Sequence, residues 1–182
     1  ALQADGWYLR QDIIWSKPNP MPESVNNRCA KSHEYIFLLT KSPKYVFNPK
    51  AIAQPIPPVS RRRYEAVIKR NERFDPKKHK HTSGVQSPMQ ILTRTAPKML
   101  ADGTRKERSV WTIPTGGNSA ARHFATFPQE LPNRCILAGS NEGDIVLDPF
   151  SGSGTTGIAA KWRRRKYIGL ELNPDYVKLS VD

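Results

Sequence analysis

The stretch from residue 145 to residue 171 constrains the fold more than any other part of the chain. Residues 145–147 are apolar and predict a short buried strand, residues 158–162 predict a helix, and residues 167–170 predict a second strand. A strand, a helix and a strand in this order form a parallel pair joined by a right-handed crossover. The sequence therefore predicts an α/β fold.

A glycine-rich turn joins the first strand to the helix. It reads Gly-Ser-Gly-Thr-Thr-Gly over residues 152–157 and fits the pattern Gly-x-Gly-x-x-Gly. Such glycines let backbone amides approach a ligand closely, because no Cβ intervenes. Glu171 ends the second strand, where a carboxylate can accept hydrogen bonds from two vicinal ribose hydroxyls. A tight turn with a helix cap would use the same glycines, but the strand, helix and acid in this order favour a nucleotide-type site.

Asp148 lies four residues before this turn and distinguishes two classes of ligand. A dinucleotide would place its pyrophosphate at the helix N-terminus, where the Asp148 carboxylate would repel it. S-adenosylmethionine carries a sulfonium and an amino group and has no phosphate, so Asp148 favours that cofactor. A nicotinamide-dependent oxidoreductase is the alternative that the glycines and Glu171 also allow.

Positive charge is concentrated in the middle of the chain. The 182 residues include 29 Lys or Arg and 16 Asp or Glu, a net charge of +13. Residues 41–110 hold seventeen of the basic and five of the acidic side chains, whereas residues 1–40 and 111–182 are close to neutral. One interpretation is a solvated insertion with weak long-range packing, because apolar residues are few. The segregation of charge favours a nucleic-acid-binding lobe, since Lys and Arg neutralise phosphates.

Within this segment, clustered basic side chains are the predicted contacts to the nucleic-acid backbone, and Tyr64 and Phe74 are predicted to contact bases. The basic residues are Arg61, Arg62, Arg63, Lys69, Arg70, Lys77 and Lys78.

The flanks of the basic segment carry further regular patterns. Residues 7–15 and 33–40 are rich in aromatic and β-branched side chains and predict a pair of antiparallel strands. Prolines exclude a helix or a central strand from residues 18–22, which predicts a loop. Apolar residues at helical spacing predict a helix that opens near residue 128, and a short helix is predicted near residues 175–179.

Several functional classes receive no support from the sequence. No run approaches the roughly 18 apolar residues of a transmembrane helix, and no membrane partner is expected. Cys29 and Cys135 are too few for a disulfide framework or a zinc site, which favours a reduced cytosolic setting, and both are expected to be ordinary small apolar residues. His33 and His123 lack a metal-type partner spacing, so a packing or capping role is predicted and no metal.

Five segments resemble, in a consistent order, the motifs of the DNA methyltransferases that modify adenine N6 or cytosine N4. Residues 148–156, Asp-Pro-Phe-Ser-Gly-Ser-Gly-Thr-Thr, resemble the cofactor-binding motif of that family, and residues 168–176, Ile-Gly-Leu-Glu-Leu-Asn-Pro-Asp-Tyr, resemble its acidic-strand motif. Residues 123–131 resemble the segment that closes over the cofactor, and residues 12–20 and 32–40 also resemble family segments. The resemblance covers both flanks and more than half the chain.

The order of these motifs is similar to that of the permuted β class, in which a target-recognition region separates the catalytic and cofactor parts. The resemblance implies part of a Rossmann-like S-adenosylmethionine-dependent methyltransferase fold. Residues 1–48 would belong to its core, residues 49–110 would be the inserted target-recognition region, and residues 111–182 would bind the cofactor. The implied cofactor-binding residues are Phe127, Asp148, Pro149, Phe150, Gly152, Ser153, Gly154, Thr155 and Glu171. The resemblance also implies that Trp15, Lys17 and the loop of residues 18–22 lie near the DNA target base, and a rigid surface loop is the alternative.

The catalytic Pro-Pro-Tyr signature of this family does not occur in the 182 residues. Residues 173–176, Asn-Pro-Asp-Tyr, belong to the acidic-strand motif instead. The first residues are typical of a helix end with Gly6 as its C-cap. We therefore expect a C-terminal part of a longer enzyme, inactive alone. Without the strand that bears the signature, two pieces of sheet are expected to keep unpaired edges, which favours aggregation or a homodimer.

The resemblance implies direct methyl transfer from S-adenosylmethionine to the exocyclic amine of a base flipped out of double-stranded DNA. The relatives that the chain resembles often carry a Ser-Pro-Pro-Tyr variant, which favours cytosine N4. The family implies the cytoplasm of a bacterium or of a phage-infected host cell, and it allows a cognate restriction endonuclease as partner. An inactive DNA-binding module on the same fold is the main alternative.

Overall fold

The computed structural model describes residues 1–72, 88–116 and 127–181. The chain divides into two compact units, one formed by Ala1–Ile52 with Arg108–Asp182 and the other by Ala53–Glu107. The elements follow in the order β1 (Tyr8–Ser16), β2 (His33–Thr40), β3 (Gln54–Pro55), α1 (Pro58–Glu72), α2 (Pro88–Asp102), β4 (Thr104–Arg105), β5 (Val110–Thr112), α3 (Glu130–Gly139), β6 (Ile145–Asp148), α4 (Thr155–Trp162), β7 (Lys166–Gly169) and α5 (Pro174–Val181).

A three-stranded sheet in the order β2-β1-β5 forms one part of the first unit. β1 pairs antiparallel with β2, with Ile13 opposite Ile36, and parallel with β5, with Trp15 opposite Trp111. This confirms the predicted antiparallel pair, and the proline-containing connection between β1 and β2 has no regular structure, as predicted. The sheet also contains β5, which the sequence did not predict as a strand.

Alternate residues of β1, together with Trp111 of β5 and the residue that follows β5, build the core beside this sheet. Ile13, Trp15, Trp111 and Ile113 are buried in one cluster. Each buried indole N–H has an acceptor: Trp15 Nε1 donates to the Ile113 carbonyl at 2.8 Å and Trp111 Nε1 donates to the Arg108 carbonyl at 2.9 Å. A buried tryptophan needs such a partner, because its polar N–H has left water.

The predicted strand–helix–strand unit is confirmed. β6 and β7 pair in parallel as a separate two-stranded sheet, and α4 packs against both strands. Val146 and Tyr167 pack against a small buried cluster of Ile136, Ala159 and Ala160. The helices predicted near residues 128 and 175 are confirmed as α3 and α5.

The predicted burial of the first of these strands is wrong on one face. Ile145 is 62% exposed and Leu147 is 59% exposed, whereas Val146 between them faces the helices. Among the described residues, β6 pairs only with β7, and the face that carries Ile145 and Leu147 stays largely exposed. These two side chains instead line a cavity.

Gly6 has a positive φ of 78° and closes a turn rather than a helix. The Gly6 amide donates to the Gln3 carbonyl at 3.1 Å and the Trp7 amide donates to the Leu2 carbonyl at 3.1 Å. This bonding pattern is the one that glycine forms at a helix C-cap. The capping geometry expected from the sequence is present, although no helix precedes it among residues 1–5.

The second unit contains α1, α2 and the short antiparallel pair of β3 and β4. α1 packs against α2, with Val67 and Ala96 buried, and Ile56 is buried in the same unit. Two helices are therefore in contact in this segment, yet its described residues bury few side chains, as the low apolar content predicts. A few small or branched residues suffice because two packed helices need only a narrow apolar stripe where they meet. In the parts of the chain that the structure describes, no helix is both long and apolar enough to cross a membrane.

Candidate functional site

The carboxyl ends of β6 and β7 bring two acids to one edge of the parallel sheet. Asp148 is the last residue of β6 and lies opposite Gly169, the last residue of β7, and Glu171 follows two residues later. In open α/β sheets this edge is where ligands bind, because the strand ends and the following loops form a crevice there. Because both strands were predicted from the sequence, the position of the two acids at this edge was predicted as well.

Asp148 joins the end of β6 to the first turn of α4. Its Oδ1 accepts a hydrogen bond from the Phe150 amide at 3.0 Å, and its Oδ2 accepts one from the Thr156 hydroxyl at 2.6 Å. The carboxylate is half-buried. These two bonds hold the carboxylate in one orientation. Thr156 belongs to the glycine-rich turn, but the sequence did not identify it as a site residue.

Glu171 ties together the two loops that follow β6 and β7. Its Oε2 accepts a hydrogen bond from the Gly152 amide at 2.7 Å, and its Oε1 accepts one from the Asn173 amide at 2.8 Å. Hydrogen bonds to a carboxylate are stronger than those between neutral groups. Glu171 is therefore fixed beside the glycine-rich turn, where the sequence predicted a binding acid.

The glycine-rich turn requires glycine at two positions for backbone reasons. Gly152 has a φ of 53° and Gly154 has a φ of 84°, a region that other L-residues avoid. Gly154 is the N-cap of α4, and its amide donates to the Ser151 carbonyl at 3.0 Å. Ser153 and Thr155 lie in the same turn and are half-buried. Phe150, by contrast, is 86% exposed.

A cavity of about 490 Å³ lies beside β6. Its walls are mostly apolar, and Ser140, Asp148 and Thr156 supply polar side chains. The lining residues are Ile36, Phe127, Leu131, Pro132, Cys135, Ile136, Gly139, Ser140, Ile145, Val146, Leu147, Asp148 and Thr156. Of the predicted cofactor-binding residues, Phe127 and Asp148 line this cavity. Pro149, Phe150, Gly152, Ser153, Gly154, Thr155 and Glu171 lie on the strand end and loops next to it.

The two cysteines differ in their surroundings. Cys29 is exposed in the loop between β1 and β2, so the small apolar packing role expected for it is wrong. Cys135 lies on the cavity wall with part of its surface exposed, and desolvation raises the pKa of its thiol to about 11. A thiol with this pKa stays protonated and uncharged near neutral pH. Cys135 is therefore a neutral wall residue.

The basic residues predicted to contact DNA have two kinds of surroundings. Lys17 forms an ion pair with Glu34 and lies 4.6 Å from the centre of the Trp15 ring. The basic residues of α1 are exposed, whereas Tyr64 on the same helix is half-buried. These exposed residues are Arg61, Arg62, Arg63, Lys69 and Arg70.

Four of the residues considered in the sequence lie outside the described ranges. They are Phe74, Lys77, Lys78 and His123. His33 begins β2, and its ring packs edge-on against Tyr35 with 5.2 Å between the ring centres, in line with the packing role expected for it. Among the residues that the structure describes, no group of three potential metal ligands occurs.

A sequence model of one protein family, described as DNA methylase, matches residues 1–182, the whole chain. The chain belongs to the DNA methylase family. It is 42% identical over 182 residues to the type II methyltransferase M.Cfr9I of Citrobacter freundii and 41% identical to the type II methyltransferase M.XycI of Xanthomonas campestris pv. cyanopsidis. Each alignment covers all of this chain and 46% of the relative, so the chain spans about half the length of these curated relatives.

Among solved structures, the chain is similar to the TTHA0409 protein of Thermus thermophilus in complex with S-adenosyl-L-methionine. The match has a TM-score of 0.53 and 26% identity, and it covers 98% of this chain and 53% of the other. Membership of the DNA methylase family and this likeness confirm the family and the fold expected from the motifs at residues 148–156 and 168–176.

Proposed function

We propose that the chain is part of a site-specific DNA methyltransferase and that it holds S-adenosyl-L-methionine at the edge of the β6–β7 sheet. The observation that carries the proposal is the pair of acids, Asp148 and Glu171, fixed by hydrogen bonds around a glycine turn beside an apolar cavity. The cofactor supplies an activated methyl group bonded to a sulfonium.

The residues present fit the chemistry of this cofactor. A carboxylate offers about four acceptor positions, so Glu171 can bond backbone amides and also accept from ribose hydroxyls. Asp148 provides negative charge for a cationic ligand, and the apolar walls, including Phe127, suit a purine ring. The remaining proposed contacts come from the turn itself, through Pro149, Phe150, Gly152, Ser153, Gly154 and Thr155. The likeness to the S-adenosyl-L-methionine complex of TTHA0409 supports the same choice of cofactor.

We propose that the unit formed by Ala53–Glu107 contacts double-stranded DNA. The exposed cations of α1 support this, since Arg61, Arg62 and Arg63 lie on consecutive positions and Lys69 and Arg70 follow two turns later. Basic side chains on one helix can contact several successive phosphates. We propose Lys77, Lys78 and Lys17 as further DNA contacts on the strength of the sequence and the family.

The acceptor in this proposal is the exocyclic amine of cytosine (N4) or adenine (N6), and cytosine N4 is the favoured one. The base would be flipped out of the duplex, because an amine within the stack is inaccessible. None of the 182 residues is proposed as catalytic, since the Pro-Pro-Tyr signature is absent from them, and residues 1–182 alone are proposed to be inactive. A homodimer, a cognate restriction endonuclease and a bacterial or phage-infected cytoplasm complete the proposal, and the type II names of the bacterial relatives support a bacterial origin and the endonuclease partner.

The test uses the full-length protein, S-adenosyl-L-methionine with a labelled methyl group, and double-stranded DNA. After incubation the DNA is digested to nucleosides and the modified nucleoside is identified by mass spectrometry. We expect labelled N4-methylcytosine. Labelled N6-methyladenine would change the acceptor, and label at cytosine C5 or no label at all would overturn the proposed reaction. DNA binding without methyl transfer would favour the inactive-module alternative, which the missing signature motivates.

A further inference from the structure

Tyr167 lies next to the glycine-rich turn without belonging to it. It is the second residue of β7 and pairs with Val146 on the face of the sheet that α4 covers. Its ring extends toward the carboxyl end of the strand, where its hydroxyl lies 2.7 Å from the Ser151 hydroxyl and forms a hydrogen bond with it. Tyr167 therefore connects the second strand to the loop that follows the first.

Two glycines make room for this ring. A Cβ on Gly157 would lie 2.7 Å from Tyr167 Cε1, and a Cβ on Gly169 would lie 2.8 Å from the Tyr167 hydroxyl oxygen. Both distances are shorter than side chains tolerate. Gly157 is the third glycine of the Gly-x-Gly-x-x-Gly pattern, so in this chain that position is explained by the tyrosine ring packed under α4 and not by a ligand.

Ser151 is held from three directions. Its amide donates to the Leu170 carbonyl at 2.9 Å, its carbonyl accepts from the Gly154 amide at 3.0 Å, and its hydroxyl bonds to Tyr167. Gly152 directly follows Ser151, and its amide donates to Glu171 of the proposed cofactor site. The anchored residue is therefore next to the residues that the proposed site uses. The side-chain bond to Tyr167 is the only one of the three that a substitution can remove without changing the backbone.

The state of the Tyr167 hydroxyl suits this contact. Burial, more than any neighbouring group, raises the pKa of the Tyr167 phenol. The group is therefore a neutral phenol at physiological pH and can donate to Ser151 or accept from it.

We propose that Tyr167 is a positioning residue of the cofactor site, whose hydrogen bond to Ser151 holds the turn of residues 151–154 in the geometry that binds the ligand. The inference rests on the proposed cofactor function. It assigns a role outside the motif that carries the ligand contacts, and it predicts that the two hydroxyls act as one unit.

The test is a double-mutant cycle on the full-length protein, with S-adenosyl-L-methionine affinity measured by isothermal titration calorimetry. The variants are Tyr167→Phe, Ser151→Ala and the two combined, and Tyr35→Phe is the control because Tyr35 is an exposed tyrosine on β2. We expect each single variant to bind the cofactor about 3- to 10-fold more weakly, the usual effect of one hydrogen bond. The double variant should lose no more than either single one.

A purely structural role would lower the melting temperature and leave cofactor affinity unchanged well below that temperature. That result, or fully additive losses in the double variant, would overturn the inference. Cofactor binding by the wild-type protein distinguishes failure of the proposed function from failure of the positioning role. If the wild type does not bind S-adenosyl-L-methionine, the proposed function fails. If the wild type binds and Tyr167→Phe binds equally well, only the positioning role fails.

Discussion

The two regions that carry the proposed binding sites hold their charged side chains in opposite ways. In the β6–α4–β7 unit, Asp148 and Glu171 accept hydrogen bonds from neighbouring backbone amides, and Asp148 also accepts one from the Thr156 hydroxyl. On α1, the side chains of Arg61, Arg62 and Arg63 are exposed, and no ion pair within the described residues joins them to an acid. Hydrogen bonds within the protein orient the acids, whereas the exposed arginines keep their rotamer freedom.

This difference matches the ligands that we propose for the two regions. A small cofactor needs groups at fixed positions, because each misplaced contact lowers its affinity. A phosphate backbone presents a long row of equivalent charges, and mobile cations can contact it by releasing counterions. The near-neutral charge of residues 111–182 and the excess of cations in residues 41–110 follow the same division.

The largest expected effect is on DNA binding. Reversing Arg61, Arg62 and Arg63 to Glu should remove up to three phosphate contacts, each worth about 0.9 log unit of affinity at 0.1 M salt, so binding should weaken on the order of 10²- to 10³-fold. The slope of log affinity against log salt should become shallower by about 3. Fluorescence anisotropy with a labelled duplex over a salt series measures both quantities.

Reversing the charge of three lysines in the β6–α5 region controls for the change in net charge. Lys161, Lys166 and Lys178 are exposed and belong to the β6–α5 region. Changing these three to Glu alters the total charge equally but should leave the salt slope within about 1 of the wild type. Equal losses in the two triple variants would remove the distinction between the regions.

The reactivity of Cys135 tests whether desolvation at the cavity wall disfavours the charged thiolate. Because desolvation raises its pKa to about 11, the thiolate fraction at pH 8 should be roughly 100-fold lower in the folded protein than in the unfolded chain. Iodoacetamide labelling of the Cys135 peptide, followed by mass spectrometry, measures the rate. Cys29, exposed in a loop, serves as the internal control.

The pH profile distinguishes desolvation from simple blockage of access. The folded-state rate should keep rising about tenfold per pH unit through pH 10, because the thiol titrates near pH 11. A rate that levels off near pH 9 would mean that Cys135 titrates normally and that the cavity wall does not desolvate it.

Asp148→Ala should lower cofactor affinity by about 10- to 100-fold, since it removes a carboxylate and the bonds to the Phe150 amide and the Thr156 hydroxyl. Calorimetry of the full-length protein measures the change. Asp12→Ala, an exposed acid on β1, is the matched control and should bind as the wild type does. DNA affinity in the absence of cofactor should be the same for both variants, and a DNA-binding loss confined to Asp148→Ala would contradict the separation of the two sites.

The smallest expected effect is on the free energy of unfolding, compared between one arginine from each region. Arg165 donates to the Ser140 hydroxyl at 3.1 Å and to the Ser140 carbonyl at 2.8 Å, and it also bonds the Arg163 carbonyl. Arg165→Ala should therefore reduce the free energy of unfolding by about 1–3 kcal/mol. Arg62→Ala, exposed on α1, should change it by no more than about 0.5 kcal/mol. Denaturant titration measures both, and equal effects would show that the two arginines are not held differently.

Local pattern was enough to predict the elements of the cofactor region. Residues 145–171 alternate between strand, turn and helix signals that neighbouring residues alone determine, and the structure has each of them. The acids at the strand ends follow from that prediction, because parallel strands end at one edge.

Other features depended on partners that are distant in sequence. The exposure of Ile145 and Leu147 depends on which strands and layers lie beside β6, and an apolar run does not carry that information. Val67 and Ala96 are buried in two helices that contact each other and whose other residues are mostly polar. The average hydrophobicity of the segment therefore does not reveal the narrow apolar stripe between them. The bond between Tyr167 and Ser151 joins residues 16 positions apart and appears only once β7 is placed beside β6.

We propose that the acids and the glycine turn of the β6–β7 edge bind S-adenosyl-L-methionine and not a dinucleotide. Isothermal titration calorimetry of the full-length protein tests it directly, with S-adenosyl-L-methionine and NAD⁺ titrated separately under the same conditions. We predict saturable binding of S-adenosyl-L-methionine at one site per chain and no binding of NAD⁺. Binding of NAD⁺ with no response to S-adenosyl-L-methionine would contradict the account.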